Sequence, residues 1–315
     1  MSKIAFIYPG QGAQKAGMGA DFYENSEIAR YIFDQAGEEL DLDMKELCFE
    51  ENDRLDLTEY TQAAMVTTCL AMTRVAESKG LKADITAGLS VGEYPAIAAA
   101  GGMNDMDAIR LVRKRGILMQ NTVPAGEGAM CAVISMAAEE IEKVIEPIAD
   151  VSVANYNCPG QIVITGKTDA VEEAAAKLKE AGARRTIMLN VSGPFHSQML
   201  VPAGEKLAEE LEHTRFHELR IPYVTNVTAE KVTDIRETPG LLTTQISSPV
   251  RWMQSMERMI ADGVDTFVEI GPGKTLEGFL RKIDRSVKVF HISQWEDVDK
   301  VCTELADSGK MMEEA

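Results

Sequence analysis

A chain of 315 residues, 45% hydrophobic and 26% charged, can bury a substantial core and has the balance of an ordinary globular protein. Its formal net charge of -18 argues against general binding to nucleic acid or to an anionic membrane, both polyanions themselves. The five cysteines (Cys48, Cys69, Cys131, Cys158 and Cys302) form no C-x-x-C pair, so a disulfide framework or a zinc site is not expected, and reduced thiols in a cytoplasm fit better.

In chain order, residues 3–8 read as a short buried strand, too brief for a secretory h-region, followed by the Gly-rich turn 9–14. Helical spacing covers 27–40 and 58–79, the second closed by Gly80. A strand at 83–89, a helix at 91–100 and a helix at 106–120 follow. The rhythm then changes to strand 129–135, helix 138–147, strands 151–156 and 161–166, helix 169–181 and strand 185–190. That β-α-β-β-α-β order is the ferredoxin-like unit. Alternation then resumes with helix 198–211, strand 222–225, helix 252–262, strand 266–270, helix 274–282 and strand 288–292. The expected fold class is α/β, a mostly parallel sheet with helices on both faces and a smaller unit inserted in it. The division this implies is a large subdomain from residues 1–123 and 196–315 and a small one from 124–195. The polar tail 308–315 reads as a frayed end. No run is long and apolar enough for a membrane helix.

Three features carry chemistry. Gly88-Leu-Ser90-Val-Gly92 stands between a strand and a helix, the setting of a nucleophile elbow, in which a sharp turn pushes the serine hydroxyl out of the sheet. The following helix would aim its free N–H groups at the same spot. A serine needs a base, and of the four histidines His213 and His217 lie in a polar helix end and His291 at the end of a strand. His196, at the return from the inserted unit, is the candidate. In the basic run Arg110, Arg113, Lys114, Arg115, the first three read as a solvated helix face. Arg115 can turn inward, where a guanidinium suits bidentate recognition of a carboxylate. Gly116 inside that helix invites a packing or functional reason. The Gly-rich loop around Gln11 leaves the first strand where ligands gather in open α/β sheets. Asn157, Asn226 and Gln245 read as polar residues in loops.

These residues together resemble the malonyl-CoA:acyl carrier protein transacylases, kin to the acyltransferase domains of polyketide synthases. The similarity runs through Tyr8 to Gln14, Thr61-Gln62, Gly88 to Tyr94, Arg115 to Gln120, Ala154 to Gln161, Val191 to His196, Gln245 with Pro249 to Trp252, and Glu269 to Leu276. The resemblance implies an α/β-hydrolase-like core with an inserted ferredoxin-like subdomain. It also implies transfer of malonyl from malonyl-CoA to the phosphopantetheine thiol of acyl carrier protein in fatty-acid biosynthesis, with no cofactor or metal. A discrete acyltransferase of a polyketide synthase or a serine thioesterase are the alternatives. Ser90 would be the nucleophile and His196 its base, and Gln11 and Val91 would supply oxyanion-hole N–H groups. Arg115 would pair with the malonyl carboxylate, and the Gln245 carbonyl would orient the histidine. Gln62, Met119, Asn157 and Phe195 would line the acyl pocket. The chain departs from the family in carrying Leu89 where histidine is usual before the nucleophile, and, more mildly, Tyr8 and Ala13 where Phe and Ser are frequent.

Overall fold

The computed structural model describes residues 3–307; Met1, Ser2 and the tail 308–315 lie outside the described residues. Its strands are β1 (Lys3–Tyr8), β2 (Ile85–Gly88), β3 (Gly128–Ile134), β4 (Val151–Cys158), β5 (Gln161–Lys167), β6 (Arg185–Met188), β7 (Tyr223–Val224), β8 (Lys231–Val232), β9 (Val264–Ile270) and β10 (Lys288–Ile292). A six-stranded sheet runs in the order β10-β9-β1-β2-β7-β8, parallel throughout except where β8 turns back on β7.

Strand β1 sits inside that sheet and is apolar on both faces, as a strand covered by helices on both sides must be. Phe6 and Tyr8 enter a core shared with helices Glu27–Leu40, Thr58–Ser78, Glu93–Ala99 and Asp105–Asn121. Ala5 and Ile7, pointing the other way, pack with Trp252, Met256, Leu276 and Phe279 from helices Trp252–Ala261 and Thr275–Ile283. The register pairs Tyr8 with Gly88, so the Gly-rich loop after β1 and the turn after β2 leave the sheet side by side. The site is built at that edge.

Between β2 and β7 the chain forms a second, antiparallel sheet in the order β4-β5-β3-β6. Helices Ala138–Ile145 and Thr168–Glu180 cover one face through Ile141, Ile145, Val171 and Leu178. From the other face Met130, Ala132 and Val163 join the core of the large sheet. The β-α-β-β-α-β order and the α/β architecture are those expected.

The differences are local. The second strand ends at Gly88, and Ser90–Gly92 forms a 3-10 turn before the helix begins at Glu93. The strand expected over 185–190 stops at Met188. Helices Ala20–Asn25, Met44–Phe49, Thr238–Gln245 and Trp295–Asp307 and strand β8 are additional to the sequence reading. Gln245 therefore ends a helix and Asn157 lies within β4; neither is in a loop.

Gly116 has a packing reason. A Cβ there would stand 2.8 Å from both Glu59 Cα and Thr58 O, at the start of the central helix Thr58–Ser78. Gly116→Ala gains about 1 kcal/mol of helix propensity and incurs about 1–3 kcal/mol of overpacking. The urea midpoint is expected to fall; a rise would mean that the two helices can part at no cost.

Candidate active site

The turn after β2 is forced by sterics. A Cβ on Gly88 would lie 1.8 Å from the Gly92 carbonyl oxygen, and one on Gly92 would lie 2.4 Å from Tyr8 O on the neighbouring strand. Ser90, between them, adopts φ 53, a left-handed conformation that a serine rarely holds unaided. Asn226, just beyond β7, clamps it from both sides. Its Oδ1 accepts the Ser90 backbone N–H at 2.7 Å, and its Nδ2 donates to Gly88 O at 2.7 Å. Leu89 donates its N–H to Tyr8 O at 3.0 Å and lays its side chain where a Cβ on Gly10 would be. Leu89, at the position where the resemblance would place a histidine, is an apolar packing contact.

His196 also holds a positive φ, 60, at the end of the tight segment 193–197. Its Nε2 lies 2.8 Å from Ser90 Oγ and its Nδ1 lies 2.9 Å from the backbone carbonyl of Gln245. A carbonyl only accepts, so Nδ1 carries the proton and Nε2 is left as the acceptor for the serine hydroxyl. Where a catalytic triad would place a carboxylate, this histidine has a peptide oxygen. Burial, followed by the charge of Arg115, pushes its pKa down to about 4 against the pull of the Gln245 carbonyl. The imidazole is therefore neutral, the form a base requires.

Arg115 points inward from helix Asp105–Asn121 and is wholly buried. It donates to Gln62 Oε1 at 2.8 Å, to Ser90 Oγ at 3.2 Å and to Gln245 Oε1 at 2.9 Å. Its donation to Ser90 Oγ leaves the serine proton to turn toward His196. The guanidinium faces Tyr94, 5.5 Å from the ring centroid. The rest of the basic run divides. Lys114 is exposed, 3.5 Å from Glu210, whereas Arg113 is half-buried, paired with Glu59 at 2.8 Å and lying over the Tyr60 ring. The expected solvated face thus loses Arg113 to a helix–helix contact.

A cavity of about 470 Å³ opens over Ser90 and His196, lined also by Gln11, Val91, Gln62, Met119, Asn157 and Phe195. Gln245 and Arg115 stand behind this wall and reach it through Ser90 and His196. Asn157 contributes a buried Oδ1 with no hydrogen-bond partner among the described residues. All ten residues singled out from the sequence thus lie in the cavity wall or bonded directly to it. Asn226 lies in a turn after β7, in keeping with its reading as a loop residue, and its side chain is in addition part of the elbow's support. Sequence reasoning misses Glu93; a carboxylate set directly between the elbow's Gly92 and the apolar run Tyr94-Pro-Ala-Ile-Ala-Ala99 is the available signal.

Residues 5–298 match the acyl transferase domain family, and the chain belongs to it. It is 44% identical over 304 residues to the malonyl CoA-acyl carrier protein transacylase of Bacillus subtilis, covering 95% of this chain and 96% of that protein. The crystal structure of the malonyl CoA-acyl carrier protein transacylase from Clostridium perfringens is similar with a TM-score of 0.94 and 42% identity, covering 98% of each chain. A structure of a type II PKS acyl-carrier protein in complex with its malonyl-transacylase gives a TM-score of 0.93 and 35% identity over 96% of this chain and 100% of that one. Within the acyl transferases, this chain belongs to the malonyl CoA-acyl carrier protein transacylase family.

The depressed pKa of His196 sets the pH dependence of any reaction in which it is the base. Protonation removes the active form, so kcat/KM for acylation by a thioester whose acyl group carries no carboxylate should be flat from pH 8 to about 5 and fall roughly tenfold per pH unit below about pH 4. Quenched-flow acylation, with folding followed by circular dichroism at each pH, reads this. A break near the ordinary histidine value of about 6.5 would contradict the buried, cation-flanked imidazole.

Proposed function

We propose that the chain transfers a malonyl group from malonyl-CoA to the phosphopantetheine thiol of an acyl carrier protein, in fatty-acid biosynthesis, through an ester on Ser90. The observation that carries the reading is one oxygen with two neighbours. Ser90 Oγ lies 2.8 Å from a neutral imidazole and 3.2 Å from a buried guanidinium.

His196 takes the Ser90 proton as Oγ attacks the thioester carbonyl. The backbone N–H groups of Gln11 and Val91 receive the oxyanion, and coenzyme A departs with the proton from His196. The carrier thiol then gives its proton to His196 and attacks the Ser90 ester; as the ester C–O bond breaks, His196 returns that proton to Ser90 Oγ and the malonyl group leaves on the carrier sulfur. The far carboxylate of the malonyl group rests on Arg115 throughout, with Gln62, Met119, Asn157 and Phe195 around it. A hydrogen bond to a charged group contributes about 1.5–3 kcal/mol, so losing it costs malonyl about ten- to hundredfold relative to acetyl.

A thioesterase shares the elbow, but it has no use for a guanidinium at the acyl end and would be expected to set a carboxylate behind the histidine. A polyketide carrier is the second reading, because one similar structure pairs a malonyl-transacylase with such a carrier. The cytoplasm is the proposed setting, supported by five free thiols, four of them buried. The cycle uses no cofactor beyond its two thioester partners.

Intact mass after mixing with malonyl-CoA should show one malonyl group on the protein, lost on adding phosphopantetheinylated carrier and never gained by Ser90→Ala. Carriers of fatty-acid and polyketide type, compared by kcat/KM, separate the two pathways. Release of free malonate at the rate of adduct decay, with or without carrier, would mean hydrolysis instead. Arg115→Ala should lose malonyl transfer by about ten- to hundredfold while acetyl transfer holds or rises; equal loss of both would remove Arg115 from selectivity.

A further inference from the structure

The cycle above makes no use of Glu93, a carboxylate with no exposure to solvent at the first position of helix Glu93–Ala99. Its Oε2 accepts the Asn226 backbone N–H at 3.0 Å and the Gln245 Nε2 amide at 2.7 Å. The other end of that amide, Gln245 Oε1, accepts from Arg115 at 2.9 Å. A carboxylate and a guanidinium, both buried, are thus joined through one amide without touching.

The order of the three groups has a chemical reason. An amide can turn either end toward a neighbour, but an ionised carboxylate only accepts, so it holds the NH₂ on its own side and the oxygen toward Arg115. A direct Glu–Arg pair would satisfy the guanidinium and compete with a substrate carboxylate. A guanidinium with no anion nearby would bear its full desolvation penalty. One intervening amide keeps the counter-charge close and leaves Arg115, among the described residues, without a direct anionic partner: its hydrogen-bond acceptors there are the two amide oxygens and Ser90 Oγ. The same Gln245 Nε2 also donates to Ser90 O at 3.0 Å, so the amide's orientation bears on the nucleophile as well.

We infer that Glu93 is a positioning residue for acyl selectivity, its negative charge orienting the Gln245 amide and through it the Arg115 guanidinium that receives the acyl carboxylate. The inference rests on the reading of Arg115 given above. Burial raises the Glu93 carboxyl to about 7, while its donors Asn226 and Gln245 and the charge of Arg115 pull it down, so assays at pH 8 keep it ionised.

Glu93→Gln preserves shape and one acceptor oxygen but removes the charge and no longer forbids the flipped amide. Gln245→Met removes the amide link and leaves the backbone carbonyl that holds His196. The readout is the ratio of kcat/KM for malonyl-CoA to that for acetyl-CoA, measured as acylation of Ser90 at pH 8. Glu93→Gln and Gln245→Met should each lower this ratio at least tenfold. In an Arg115→Ala background, Glu93→Gln should leave the ratio where Arg115→Ala alone puts it. A purely structural Glu93 would lower both rates equally and leave the ratio intact, overturning the inference. So would a further, additive fall in the double variant. If Arg115→Ala itself spares the ratio, the reading of Arg115 has failed; if it lowers the ratio while Glu93→Gln and Gln245→Met do not, only the role of Glu93 has. Should Glu93→Gln not fold, Gln245→Met carries the same test.

Discussion

Ser90 sits in a left-handed backbone conformation, and much of the surrounding structure exists to keep it there. Such a conformation costs a non-glycine residue of order 1–3 kcal/mol and persists only where neighbours over-determine it. Here Asn226 binds the N–H of Ser90 and the carbonyl of Gly88, while Gln245 binds the carbonyl of Ser90. Each such bond contributes about 0.5–1.5 kcal/mol, enough together to offset the strain. The glycines at 88 and 92 are the other half of the constraint. Any side chain at either position would collide with backbone within the turn or on β1.

The electrostatics of the site follow from the same crowding. Bringing Arg115 to within 3.2 Å of Ser90 Oγ places a cation beside His196 in a buried space, and this weakens the base. The peptide carbonyl of Gln245 restores only part of that loss, because it carries a partial charge where a triad carboxylate would carry a whole one. An imidazole so placed stays neutral at any physiological pH. A negatively charged acyl group on Arg115 would offset the cation's effect, so a carboxylate-bearing substrate and the base reinforce each other electrostatically.

The elbow was legible in the sequence because its demands are local: two glycines, a serine, and a strand and a helix on either side. The large alternation was legible for a similar reason, and the strand expected at 288–292 matches β10 to the residue. What stayed hidden depends on contacts between distant parts of the chain. The helix Thr238–Gln245 is written Thr-Pro-Gly-Leu-Leu-Thr-Thr-Gln, with a glycine and β-branched threonines that disfavour a helix, and burial of Leu242 and Gln245 accompanies its formation. Asn226 and Glu93 act on partners more than 130 residues away, as the separations of 136 and 152 positions in their bonds to Ser90 and Gln245 make plain. Arg113 turned from the expected solvent face because Glu59 and the Tyr60 ring lie within its reach.

The two sheets meet at the site through a short strip of backbone. Val250 donates to Ala154 O at 2.7 Å and accepts from Tyr156 N at 2.9 Å, forming a parallel bridge between β4 and the segment that follows Gln245. Asn157, which reaches the cavity from β4, is thereby referenced to the same few residues whose carbonyl holds His196. The acyl pocket and the base thus share one backbone anchor, although the first belongs to the antiparallel sheet and the second follows it in the chain. A displacement of β4 would pull on the segment that follows Gln245 and so disturb the carbonyl that holds His196 together with the pocket. At this edge of the cleft, the inserted sheet is a fixed wall of the site.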